Sequence, residues 1–277
     1  MWIETVTDIL REAAAEAIVP RHRALTEGEI TEKTPGEVVT VADREAEALI
    51  TRRLRGLRDV PVVGEEAVAA HPTLLQAARS APEAWLVDPL DGTANFVAGH
   101  DTYAVMAALV RHGETVAAWI VQPASGRTYT AEAGSGAWRD DGVRLLREPA
   151  PADPAALHGA ALTRFLSPAA RAHAEASRPH FAHLGSGTGC AGIDYPRLAE
   201  GALDFLLYHR TLPWDHAPGA LLATEAGCTV RRPDGERTAY RPSDDLSGLL
   251  AAADPRCWRT ARALLLPTPT TTPKTKG

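Results

Sequence analysis

The chain has 277 residues, of which 45% are hydrophobic, 23% charged and 5% aromatic; that is too apolar for a disordered chain and enough for a sizeable core. Thirty-five acids against 29 bases give a net charge of -6, which speaks against a nucleic-acid binder with a basic face and against a polybasic membrane anchor. Cys190, Cys228 and Cys257 have no metal-type spacing and fit a reduced, cytoplasmic protein; the N-terminus lacks the apolar core of a signal peptide, and no run approaches the ~18 apolar residues of a membrane span.

Val6, Ile9, Leu10, Ala13, Ala14, Ala17 and Ile18 recur at helical spacing until Pro20, which predicts a helix over 4–18. A loop containing Gly28 and Thr34-Pro35-Gly36 follows, then an apolar run from Val38 into Asp43 and a second helix through Arg55. Pro61–Gly64 and Trp85–Val87 read as short strands, ended by Glu65-Glu66 and by Asp88-Pro89-Leu90-Asp91-Gly92-Thr93. Tyr103–Val110 and Val116–Val121 pair across a turn at Arg111–Glu114, and Thr128–Ala131 and Gly136–Arg139 continue the meander. The proline-rich stretch from Leu146 to Pro154 is the best internal boundary. It divides the chain into an α+β half over 1–148 and an α/β half over 149–266, with a disordered tail over 267–277. In the second half a strand is expected over Ala155–Leu162, helices over Pro168–Ser177 and Gly192–Glu200, a strand over Phe205–Tyr208, and a helix over Pro218–Ala226.

The informative segment is Trp85–Thr93. Asp88 and Asp91 lie three residues apart where a strand becomes a turn; Pro89 stiffens that turn, and the Leu90 carbonyl can point at the same spot. All-oxygen coordination of this kind suits Mg²⁺. A lone pair of this type is commonly just an Asx turn, and Asp43 or Asp215 alone reads as a helix N-cap. Four acidic sites at strand or helix ends (Asp43, Glu65-Glu66, Asp88/Asp91 and Asp215) together suggest one polynuclear metal centre.

The run Trp85–Thr93 followed by Asn95-Phe96 and Gly99 resembles the signature of the inositol monophosphatase family. That family's other blocks follow in order: Val39-Thr40-x-x-Asp43, Gly64-Glu65-Glu66, Trp214-Asp215-x-x-x-Gly219 and Glu225-Ala226-Gly227. The resemblance implies an α+β fold, a layered αβαβα sandwich shared with fructose-1,6-bisphosphatase, and a Mg²⁺-dependent phosphomonoesterase using two to three ions per site. It implies Glu65, Asp88, Asp91, Asp215 and the Leu90 carbonyl as metal ligands, with Glu66 in support. Asp43 and Thr93 would activate the attacking water, and Gly92 and Thr93 would offer backbone N–H groups to the phosphate. Ala191 and Tyr208 would line the alcohol side of the substrate, together with Asp91 and Asp215. Lys33, the one lysine outside the tail, would act near phosphate or water, or stand in solvent.

The family's inositol-specific members carry an acid where this chain has Tyr208, seven positions before Asp215. A neutral phenol cannot replace an anionic acceptor, so the expected substrate is a small polyol, sugar or amino-alcohol phosphate. Histidinol phosphate, a 3'-phosphoadenosine 5'-phosphate-type nucleotide, and a catalytically silent phosphate-binding role are the alternatives. The resemblance further suggests a homodimer with a small phosphorylated metabolite as its partner, and no nucleic-acid or membrane partner.

Overall fold

The apolar stripe of the first segment forms α1 (Trp2–Ala13), which runs on through a π-helical turn, Ala14–Ile18, and a 3-10 turn, Val19–Arg21. The computed structural model describes residues 2–164, 166–233, 240–242 and 248–266; the tail expected over 267–277 lies outside the described residues. The loop expected around Thr34-Pro35-Gly36 is the tip of a two-stranded hairpin, β1 (Ile30–Thr34) and β2 (Glu37–Thr40). Most of β1 is exposed, so it lacks the apolar alternation that marks a strand with one buried face.

Next come α2 (Val41–Leu57), β3 (Val62–Gly64), α3 (Glu65–Ala70), α4 (Leu74–Ser80), β4 (Glu83–Asp91) and α5 (Thr93–Val97). The meander is β5 (Ala104–Arg111), β6 (Glu114–Gln122), β7 (Arg127–Glu132), β8 (Gly136–Arg139) and β9 (Arg144–Leu145). These strands form a seven-stranded sheet in the order β3-β4-β5-β6-β7-β8-β9, antiparallel except for the β3–β4 pair. Beyond it lie β10 (His158–Leu162), α6 (Pro168–Ala176), β11 (His183–Gly185), α7 (Ala191–Ala199), β12 (Phe205–Tyr208), α8 (Pro213–Glu225), β13 (Thr229–Arg231), β14 (Leu249–Ala252) and α9 (Pro255–Leu265). The second sheet has the order β11-β10-β12-β14-β13.

Strand periodicity dictates how these elements stack. In β5, Val105, Ala107 and Leu109 face a core shared with α1 and α2, whereas Ala104 and Met106 face one shared with α7 and α8. In β12, Leu206 and Tyr208 face α7 and α8, whereas Phe205 and Leu207 face α9. Both sheets are thus covered on both sides, which is why their strands read as continuous apolar runs. The result is five layers: α1/α2, the first sheet, α7/α8, the second sheet, α6/α9. This is the αβαβα sandwich. Burying one Leu or Phe in such an interface contributes roughly 1.5–3 kcal/mol.

The helix expected from Pro218 begins instead at Pro213 and carries Pro218 in its interior. Pro213 occupies the first turn, where a missing N–H costs nothing; Pro218 sacrifices one internal hydrogen bond and misleads a reading that takes proline as a helix start. Patterning alone also leaves out α3, α4, β11, β13, β14 and α9.

Candidate active site

Acidic and hydroxyl residues sit at the ends of five elements, α2, α3, β4, α5 and α8. Thr40 and Asp43 form a capping box at the start of α2. The Asp43 carboxylate accepts from the Thr40 N–H at 2.8 Å and from its hydroxyl at 2.6 Å, while Thr40 Oγ1 accepts from the Ala42 N–H at 3.1 Å. Glu65 and Glu66 open α3 directly after β3. Asp215 lies in the first turn of α8, where the helix dipole favours an anion.

Asp88 and Asp91 end β4. In a regular strand, residues three apart point to opposite faces. The β4–β5 pairing is irregular between Asp88 and Asp91; Pro89, which has no N–H to give the ladder, lies within that bulge. Both aspartates are buried, and the Asp91 charge is one of those that raise the Asp88 pKa. Asp88 Oδ1 accepts from the Leu90 N–H at 3.0 Å. Gly92, next in the chain, has φ +83°, and a Cβ there would come within 2.9 Å of the Thr102 carbonyl. The turn therefore needs glycine on both counts.

One carboxylate oxygen each from Glu65, Asp88 and Asp215 lie within 4.8 Å of one another. Burial pushes the Asp88 and Asp215 pKa values well up, and the neighbouring charges of Glu65 and Asp91 push them further. Three hard oxygen donors converge, and their mutual repulsion goes largely uncompensated by protein groups. That donor set fits a divalent cation such as Mg²⁺.

Asp91 is held differently. Its Oδ2 accepts from the Gly192 N–H at 2.6 Å and from the Cys190 thiol at 3.1 Å, both at the start of α7. Burial raises its pKa to about 6 although both hydrogen bonds oppose the rise. With two donors on Oδ2, Oδ1 is the oxygen left for a cation or substrate.

The Thr93 hydroxyl lies 2.9 Å from Asp43 Oδ1 and 2.8 Å from the Leu90 carbonyl, which compete for its single proton. Lys33 reaches in from the hairpin to Glu65 at 2.8 Å and to Glu66 at 2.5 Å. Its burial would lower the ammonium pKa, but the two glutamates outweigh that and raise it. The solvated alternative for Lys33 is thus set aside. Burial, with the charges of Glu65 and Asp43, lifts Glu66 to about 7 against the pull of Lys33.

Behind this pair, the Glu47 carboxylate accepts from the N–H groups of Glu66 and Ala67, each at 2.8 Å, and so fixes the start of α3. A Cβ on Gly64 would fall 2.2 Å from that carboxylate. Ala191 opens α7 beside Cys190. Tyr208 ends β12, buried between the Tyr195 ring at 5.4 Å and the His216 ring at 4.5 Å, and its hydroxyl has no hydrogen-bond partner. His216 accepts or donates to the Tyr195 hydroxyl at 3.0 Å, and burial depresses its pKa to about 3. It is a neutral packing neighbour of Asp215 and does not point to the carboxylate trio.

Sequence reasoning missed Glu47; it placed Cys190 and Gly192 in a block, Gly189–Tyr195, aligned with the alcohol side of the substrate, but missed their contact with Asp91. Glu47 had a signal, since it lies one helical turn after Asp43. The contact itself had none, because Cys190 and Gly192 meet Asp91 only through the packing of α7 on the first sheet.

Among the described residues no helix is long and apolar enough to cross a membrane. The sequence matches the profile of the inositol monophosphatase family over residues 2–267. It is 37% identical over 205 residues to an inositol-1-monophosphatase of Mycobacterium leprae, covering 72% of this chain and 70% of that protein. It is 29% identical over 245 residues to a 3'(2'),5'-bisphosphate nucleotidase of Shigella flexneri, covering 85% and 92%. The fold superposes on an extragenic suppressor protein from Bartonella henselae with a TM-score of 0.79 at 24% identity, over 96% of this chain and 98% of that one. Ordered sequence blocks, a convergent carboxylate trio and a family match across nearly the whole chain agree: the chain belongs to the inositol monophosphatase family and is a metal-dependent phosphoric monoester hydrolase.

Proposed function

We propose that this enzyme is a Mg²⁺-dependent phosphomonoesterase acting on a small polyol, sugar or amino-alcohol phosphate, in the cytoplasm and as a homodimer. The observation that carries the reading is the convergence of Glu65, Asp88 and Asp215 within 4.8 Å. These three, with Asp91 Oδ1 and the Leu90 carbonyl, would hold two to three Mg²⁺ ions. When bound, Mg²⁺ neutralises phosphate charge and lowers the pKa of water.

The chain's own groups do the rest. Asp43 and Thr93, joined by a 2.9 Å hydrogen bond, hold a water lone pair toward phosphorus; Asp43, its pKa raised by burial, is the proton acceptor within reach. The N–H groups of Gly92 and Thr93 take the phosphate oxygens, which carry the developing charge. Lys33 and Glu66 fix Glu65. Ala191 and Tyr208 bound the alcohol side.

Tyr208 also bears on the substrate. A phenol whose ring is wedged between Tyr195 and His216 can donate one hydrogen bond but offers no anionic acceptor to a ring of hydroxyls. This favours an alcohol other than myo-inositol. A bisphosphorylated nucleotide is the second reading, supported by the likeness to the Shigella flexneri nucleotidase. Arg210, the arginine nearest Tyr208 in sequence, is however paired with Glu37 of the hairpin at 2.6 Å.

The test is phosphate release with Mg²⁺ from a panel including inositol 1-phosphate, histidinol phosphate and 3'-phosphoadenosine 5'-phosphate, beside light scattering for the dimer. Release from a non-inositol monoester, abolished by chelation, is expected. Mg²⁺ and phosphate binding without release from any monoester would leave the catalytically silent reading.

A further inference from the structure

Among the described residues, the arginines are almost all engaged. Arg53 pairs with Glu12, Arg58 and Arg111 with Glu83, Arg139 with Asp141 and Glu200, and Arg147 with Asp204. Others engage a ring or a backbone carbonyl, as Arg144, Arg171, Arg231 and Arg262 do; Arg44, Arg52 and Arg55, like Arg259 on α9, have no acidic partner, although acids outnumber bases in the chain. These three line one groove of about 640 Å³ between α2 and the α3–α4 segment.

The clustering follows from helical spacing. Arg44, Ala48, Thr51, Arg52 and Arg55 form a single stripe along α2. Ala48 and Thr51 are small and leave the trough open between the long side chains. Arg52 and Arg55 are neighbours on one turn and can converge on one anionic group. Arg44 stands two turns away, about 12 Å along the axis, within reach of a second group once both side chains extend. The opposite wall is apolar, with Val62 and Leu74. At the deep end lie Glu47 and Glu66, both already engaged by the N–H groups of α3 and by Lys33. Three unneutralised guanidinium groups with planar donor forks match phosphoryl oxygens.

We propose that this groove is a second anion site, distinct from the catalytic pocket, that takes a small molecule bearing two or more phosphoryl groups. Its position makes it a regulatory site. Glu66 lines the groove and belongs to the acid pair held by Lys33, so an anion seated on Arg44 and Arg52 lies one helix layer behind the catalytic acids. That regulatory role rests on the function proposed above; the binding site itself does not.

The experiment is calorimetric titration of pyrophosphate into the metal-stripped full-length protein, where the catalytic acids repel anions. Saturable binding is expected, weakened about tenfold or more by Arg52→Gln/Arg55→Gln, less by Arg44→Gln, and unchanged by Asp88→Asn. Unchanged melting temperatures keep folding out of the comparison. The absence of saturable binding, or binding that removal of these arginines leaves intact, would overturn the site. In the presence of Mg²⁺, the Arg52→Gln/Arg55→Gln protein should keep its basal phosphatase activity but lose the response to added polyphosphate. No polyphosphate response in the wild type would overturn the regulatory role, while loss of all hydrolysis in the wild type would instead strike the function proposed above.

Discussion

Two groups of acids, one buried and one only partly so, lie side by side in this molecule and are treated in opposite ways. Asp43, Glu47 and Asp91 are supplied with donors by the protein itself: Thr40 and Thr93, the N–H groups of Glu66 and Ala67, and Gly192 with Cys190. Glu65, Asp88 and Asp215 face one another, and the charges that offset them are Lys33 on Glu65 and Arg210, whose charge acts on Asp215. A satisfied buried carboxylate is architecture; a buried carboxylate left facing its like is a request for a cation. The difference between the groups separates residues that shape the site from those that bind what enters it.

The sharpest way to break this distinction is to neutralise one of the trio. Asp88→Asn or Asp215→Asn should lower Mg²⁺-dependent turnover by ~10³-fold or more, measured by phosphate release. The same change should raise the melting temperature of the metal-free protein, by about 2–4 °C per kcal/mol of repulsion removed. A fall in that temperature would mean the three charges are compensated after all. In the other group, Thr93→Ala should cost ~10²-fold in kcat with a smaller change in Mg²⁺ affinity, because the Thr93 hydroxyl touches Asp43 and the Leu90 carbonyl but none of the trio.

A third test uses pH. In the metal-free protein, Asp91 titrates at about 6 and Glu66 at about 7, above their ordinary 3.8 and 4.5. The folded state therefore holds protons that the unfolded chain has already released, so stability falls as pH rises from about 4 to about 7. Mg²⁺ should cancel that loss, and the stabilisation it gives should grow across the same window; calorimetry at several pH values with and without Mg²⁺ reads both. The smallest effect is expected at Cys190. Cys190→Ala removes one of the two donors on Asp91 Oδ2 and should raise the half-activating Mg²⁺ concentration by about 3–10-fold, with Cys190→Ser restoring it through its own donor. Equal shifts in both variants would reduce the thiol to packing.

Much of the trio was legible in the sequence because each acid sits at a locally marked element end. Gly64 before Glu65, Pro89 between the aspartates, and the Pro213-Trp214-Asp215 helix start all carry short-range signals. The layered fold was legible through the family blocks, and the meander through its turns. Lys33 stood out only by its rarity, and its hairpin was hidden because β1 is largely exposed. Pro218 displaced the start of α8, since a rule about proline lost to tertiary packing of a largely buried helix. The contact between Cys190 and Asp91 spans 99 positions and exists only after α7 settles on the first sheet; no local pattern encodes it.

The trio draws Asp88 from the first sheet, Glu65 from the start of α3 just after β3, and Asp215 from the helix layer between the two sheets. No contiguous stretch of chain contains the site, and α8 must dock before it exists. Cation affinity then includes the free energy of that docking, so the ion works as a latch across the layers as well as a reagent. During folding, acquisition of Mg²⁺ binding should mark the last large rearrangement, and an enzyme starved of the ion should open first along the seam between β4 and α8.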